Sequence, residues 1–170
     1  MDSYQKFISE KAKKKRQLMG AMFFPRTPVL LLDFSEVKKA SEYADLVEGL
    51  DSINLNTLVV TPDGKPLTET TKNIRYVDAK QKPTAEQAAD FAVTLKGDLA
   101  GMWQAGCVPI ARLDGNETVE YRPLKEEGNG FYFKNPTKWE VFAAIVRALE
   151  TYQFPYDWEN LIREILKRKA

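Results

Sequence analysis

The strongest constraint in this sequence is a series of short, continuously apolar segments separated by stretches long enough for helices. Val29-Leu30-Leu31-Leu32 shows no alternation of apolar and polar residues, so it suits a strand covered on both faces. Residues 55–60, 74–77, 91–95 and 107–111 read as further strands. Strands alternating with amphipathic segments make a parallel sheet with crossover helices. The expected fold class is therefore α/β, a doubly wound, mostly parallel sheet of about six strands with helices on both faces. A chain of 170 residues suffices for one such domain, and no repeat, linker or low-complexity segment divides it.

The intervening segments carry helix signals. After the first strand, Ser35 is a good N-cap and Glu36 suits the positive end of a helix dipole, with Val37, Ala40, Ala44 and Val47 at helical spacing. Thr61-Pro62-Asp63-Gly64 is a turn closing the second strand. Thr84 and Gln87 match a capping box, and a short helix is expected over residues 98–105. Asn135 reads as an N-cap followed by Pro136 at the first helical position, with Phe142, Ile145, Val146 and Leu149 on one face. A break at Phe154-Pro155 precedes a second stripe of Trp158, Leu161, Ile162, Ile165 and Leu166. Residues 1–20 read as a helical, frayed amino-terminal segment. Trp139, Tyr152 and Trp158 are expected to fill the core between the last two helices and the sheet.

Composition removes several kinds of chemistry. There is no histidine, which takes away the commonest general base and zinc ligand, and one cysteine cannot make an internal disulfide or a multi-thiolate metal site. Cys107 opens an apolar run and reads as a buried structural thiol. No catalytic residue, metal site or resident cofactor is expected. The net charge of +1 gives no bulk attraction to nucleic acid or membrane, and the basic tract from Lys11 to Arg16 reads as a solvated helix face. No apolar run reaches a membrane-spanning length and no signal-peptide pattern opens the sequence, so a cytoplasmic location is expected.

Candidate binding residues sit where strands end. Asp33 closes the first strand, at the edge where open α/β sheets hold ligands, and either caps the next helix or faces a ligand. Lys38, one turn further, either reaches a phosphate at the helix N-terminus or stands in solvent. Asp114-Gly115-Asn116-Glu117-Thr118 follows another strand end and is either an anion cradle or a plain turn.

Several segments resemble one family in order. Gly106-Cys107-Val108-Pro109-Ile110-Ala111-Arg112, Gly128-Asn129-Gly130-Phe131-Tyr132-Phe133 and the AAIVRALETY stretch of residues 143–152 are similar to motifs of the carboxyl-terminal domain of bacterial glycogen and starch synthases. Residues 11–18 and Ala89-Asp90-Phe91 resemble that family's basic helix and Ala-Asp-Phe strand start. The resemblance implies a Rossmann-like domain of GT-B type, the half that holds ADP-glucose or UDP-glucose. It carries Lys38 onto a diphosphate contact, Asp63 and Gly64 onto a glycine-rich turn, Tyr76 onto the tyrosine packed on the base, and Gly115 and Asn116 onto a reduced form of the family's Gly-Gly-Leu, with Thr118 a candidate from the strand-end turn alone. It also implies losses. Asp33 stands where the family has a phosphate-binding arginine, and residues 91–101 lack the glutamates of the family's acidic loop.

The expected function is accordingly a non-catalytic, glycosyltransferase-derived binding or interaction module with weak affinity for a nucleotide or nucleotide-sugar. Its expected macromolecular partner is another protein or a second copy, with neither nucleic acid nor membrane. The alternative is a subunit of a split glucosyltransferase, completed by a separate amino-terminal domain.

Overall fold

The computed structural model describes residues 2–96, 99–115 and 117–168. Six strands form one sheet: β1 (Val29–Asp33), β2 (Asn56–Val60), β3 (Ile74–Tyr76), β4 (Phe91–Thr94), β5 (Val108–Arg112) and β6 (Phe131–Phe133). Their order is β3-β2-β1-β4-β5-β6 and every pairing is parallel. The expected α/β class and doubly wound sheet are therefore what the chain adopts. All residues of β1, β2 and β4 are buried, which is why their apolar runs show no period of two.

One face is covered by α2 (Ala44–Leu50), α5 (Lys138–Tyr152) and α6 (Pro155–Lys167), which pack on Leu30, Leu32, Val59, Phe91 and Val93. The other is covered by α1 (Ser3–Met19), α3 (Lys82–Ala88) and Met102 of α4 (Leu99–Ala105), against Leu31, Leu58, Val60 and Ala92. Phe91, Tyr152 and Trp158 meet edge to face with centroids 5.0–6.3 Å apart, the aromatic seam expected between the last two helices and the sheet. Trp139 does not join it: it sits in the first turn of α5 on the outer side and is 74% exposed. No helix among the described residues is long and apolar enough to cross a membrane.

The amino-terminal segment is a docked helix, and its basic tract is not a solvated face. Lys11 and Lys15, one turn apart, both point inward and are 5% and 6% exposed. The Lys15 ammonium donates to both oxygens of Asp90 at 2.7 and 2.8 Å, and Asp90 also accepts the Val29 N–H at 2.8 Å. Lys11 donates to the carbonyls of Ala89 and Gln87. Long aliphatic stems let these lysines lie in apolar surroundings while their heads satisfy the amino end of β4. Phe7 closes the seam, because Gly106 has no side chain and a Cβ there would come within 2.1 Å of its ring.

Three helix starts differ from the sequence reading. Ser35 does not cap a helix, since the Asp33 carboxylate takes both its N–H and its hydroxyl; turns follow, and α2 begins only at Ala44. Thr84 and Gln87 lie inside α3, whose start is set by Pro83. The capping box is instead Asp78 with Gln81, around the turn Ala79–Gln81. Thr137, not Asn135, caps α5, while Asn135 donates to the Glu140 carboxylate at 2.9 Å.

Candidate functional site

In this strand order the chain runs outward through β2 and β3 on one side of β1, then returns to β4, β5 and β6 on the other. The switch point lies between the carboxyl ends of β1 and β4, where diverging loops leave a crevice. Asp33 and Thr94 face each other there in register.

Asp33 is spoken for. Its side chain is 5% exposed, and the Lys82 ammonium lies 2.6 Å away. Burial alone would lower the Lys82 pKa, but the hydrogen bond and charge of Asp33 outweigh it, so the ammonium is held above its ordinary value. The pair with Lys82 neutralises the carboxylate, and the bonds it accepts from Ser35 cap the strand end.

Thr94 is different. Its hydroxyl is buried and has no hydrogen-bond partner among the described residues. It lines a cavity of about 520 Å³ between the ends of β4 and β5, together with Leu95, Lys96, Leu99, Ala111, Arg112 and Asp114. Lys96 and Arg112 form no ion pair among the described residues, so two free cations and one exposed carboxylate surround an unsatisfied hydroxyl. Such a site favours a small anion, which a guanidinium can hold by two parallel hydrogen bonds.

The excursion between β5 and β6 walls this edge. Asn129, 1% exposed, accepts the Val119 N–H at 3.0 Å on its side chain and donates to the Glu117 carbonyl, while the Trp103 indole donates to the Asn129 backbone carbonyl at 3.1 Å. Arg147 braces the same region through Glu120 at 2.7 Å and the Tyr132 carbonyl at 2.8 Å.

The candidate residues read from the sequence all follow strand ends but do not converge. Lys38 is exposed, in a turn rather than one turn into a helix. Asp63 and Gly64 form an exposed turn after β2, in which Asp63 accepts the Lys65 N–H. Tyr76 ends edge strand β3; its hydroxyl accepts the N–H groups of Leu67 and Thr68 at 3.0 Å and so pins the preceding loop. Gly115 lies in an exposed turn after β5, Asn116 lies outside the described residues, and Thr118 is buried with its hydroxyl unpartnered among the described residues. Tyr76 and the Gly115 turn are four strands apart, roughly 19 Å at about 4.8 Å per strand. Lys82, Thr94, Lys96 and Arg112 were not legible as site residues. The available signal was their position at or just beyond strand ends flanking the switch point, which requires the strand order.

The cysteine thiol lies at the opposite end of β5, fully buried, and burial pushes its pKa up to about 12. It is chemically quiet. No group of three or more metal-ligating side chains occurs among the described residues.

Comparison with known proteins gives a consistent picture. No protein-family model matches the chain. A 65-residue segment is 37% identical to glycogen synthase 1 of Synechocystis, covering 36% of this chain and 14% of the synthase. A 70-residue segment is 39% identical to the glycogen synthase of Cellvibrio japonicus, covering 38% and 15%. Among solved structures, the catalytic domain of starch synthase IV from Arabidopsis thaliana, bound to ADP and acarbose, superposes with a TM-score of 0.71 at 16% identity. The overlap takes in 96% of this chain and 39% of that one. The rhamnosyltransferase SpnG gives 0.58 at 6% identity, over 84% and 41%. The matched segments thus span about one seventh of the curated relatives.

Proposed function

We propose that this chain, similar to glycogen synthases over the matched segment and to a starch synthase catalytic domain in fold, is a non-catalytic binding module whose carboxyl-edge cavity takes the diphosphate of a nucleotide or nucleotide-sugar weakly. The observation that carries this reading is the pairing of two free cations, Lys96 and Arg112, with the buried, unpartnered Thr94 hydroxyl beside the switch point. Binding an anion there satisfies all three groups at once.

Catalysis is a different matter. Glycosyl transfer needs charge aimed at a developing oxocarbenium ion. Where the family resemblance implies a loop bearing one glutamate and a helix ending in a second acidic residue, residues 91–101 carry no glutamate and the second acidic position falls on Gly101. At the position of the implied arginine stands Asp33, already neutralised by Lys82. A diphosphate near that carboxylate gains nothing from it, which keeps the expected affinity low.

Calorimetric titration of ADP, UDP and their glucose conjugates tests the reading. Saturable heat in the high micromolar to millimolar range is expected, with loss of the heat in Arg112→Ala. No heat at millimolar ligand removes it.

The second reading is a split glucosyltransferase subunit, completed by an amino-terminal GT-B domain on another chain. It rests on the fold this chain shares with the starch synthase catalytic domain, at a TM-score of 0.71. Adding such a domain and measuring glucose transfer to glycogen separates the two readings.

A further inference from the structure

A second cleft lies away from the carboxyl edge. It measures about 730 Å³ and opens at the opposite, amino-terminal edge of the sheet, beneath Pro28 and Asp90, which lead into β1 and β4. Helix α1 forms one wall and the junction of α5 with α6 the other.

Its walls are apolar and aromatic, with Phe23, Leu149 and Trp158 among them. Its carboxylates are already neutralised: Lys15 holds Asp90, and Arg163 holds Glu159 at 2.6 Å. Its exposed arginines are not. Arg26 makes no ion pair or hydrogen bond among the described residues, and Arg16 only overlies the Phe23 ring at 5.5 Å. Two phenols, Tyr4 and Tyr152, also line the cleft without a hydrogen-bond partner for either hydroxyl among the described residues. Burial is the main cause that raises both phenols, with the Glu159 charge adding to it at Tyr4 and the Asp90 charge at Tyr152, so they stay protonated donors.

An apolar recess with a few convergent, unsatisfied donors is the form that small-molecule sites take. Four cations, Lys11, Lys15, Arg16 and Arg26, line it against two carboxylates, Asp90 and Glu159, so the unbalanced charge is positive. We propose that this cleft is a second ligand site, separate from the nucleotide edge, for a small organic anion: a ring-containing apolar body bearing a phosphate, carboxylate or sulfonate. The ring lies against Phe23 and the end of α5, the anionic group meets Arg16 and Arg26 at the mouth, and the phenols donate to polar substituents further in.

The test uses the whole chain, labelled with nitrogen-15, and three probes: naphthalene-2-sulfonate, its neutral analogue naphthalene-2-methanol, and inorganic phosphate. Amide shifts from the sulfonate are expected at Ala12, Arg16, Asn54 and Gln153, and not at Lys96 or Arg112. The neutral analogue is expected to bind about tenfold more weakly, since it lacks the charge-assisted bonds. Phosphate alone, without an apolar body, is expected to shift nothing in the cleft. The double variant Arg16→Ser/Arg26→Ser keeps the parent spectrum, because both side chains are exposed, and is expected to lose about tenfold in sulfonate affinity. Tyr152→Phe weakens binding, whereas Lys38→Ser does not. Three results overturn the proposal: no saturable shift at millimolar sulfonate, shifts confined to the carboxyl edge, or equal affinity in the double arginine variant.

Discussion

Replacing Lys15 by alanine probes the contact that seats α1 on the sheet. In the folded chain the Asp90 carboxylate, on a residue 4% exposed, accepts two bonds from Lys15 and one from the Val29 N–H. Lys15→Ala leaves that charge buried with the backbone amide as its one remaining partner. Removing one partner of a buried pair costs about 3–5 kcal/mol. Against a total of about 5–15 kcal/mol for an ordinary domain, this is a large share. At about 2–4 °C per kcal/mol for this size, Tm should fall by roughly 6–20 °C. Thermal and urea unfolding followed by circular dichroism measure it, with Lys13→Ala, on the exposed side of the same helix, as the control expected within about 0.5 kcal/mol. Adding Asp90→Asn should recover part of the loss, because a neutral amide still accepts the Val29 N–H without an uncompensated charge. A Lys15→Ala loss below about 1 kcal/mol, or one equal to that of Lys13→Ala, refutes the reasoning, since that is how solvated surface pairs behave.

Other outcomes follow from particular environments. Cys107 should resist thiol reagents at pH 8 until the chain unfolds. Its thiol is ordinary, at 9.0, when unfolded and about 12 when folded. The unfolded state therefore sheds the proton first, and this contribution to stability is complete below pH 9 and lost as pH rises towards 12. Gly128→Ala should cost about 3 kcal/mol, because at φ +123° a Cβ would sit 2.4 Å from the Tyr121 Cα, which is backbone and cannot yield; urea titration measures the loss. Asp33→Asn should cost about 1–3 kcal/mol by unpairing Lys82 and weakening the Ser35 turn. The same variant should bring the Lys82 pKa down, because burial is then opposed by one fewer charge; lysine side-chain NMR reads it.

The sheet was legible from sequence because burial on both faces writes itself as unbroken apolar runs, as in Val29–Leu32 and Leu58–Val60. Helix starts were less so. Ser35, Thr84 and Asn135 all have the right chemistry for a cap, but the first is captured by Asp33, the second is preceded by Pro83, and the third serves Glu140. Each outcome depends on a neighbour's side chain rather than on local preference. The basic tract failed for a related reason: only packing against Ala89 and Asp90 distinguishes Lys11 and Lys15 from Lys13 and Lys14. Of the candidate site, the edge was foreseeable but the cavity was not. Lys38, Asp63, Gly64 and Tyr76 lie on the β1–β3 side, whereas Thr94, Lys96 and Arg112 meet across β4 and β5, a neighbourhood that only strand order creates.

The most direct test of anion binding without catalysis is one proton and phosphorus NMR titration of ADP-glucose with the chain, glycogen present throughout. Binding at the carboxyl edge predicts saturable broadening or shift of the diphosphate resonances while ADP-glucose stays intact over hours. Steady growth of free ADP at catalytic turnover, with glucose entering glycogen, contradicts the account, and so do diphosphate resonances that never change.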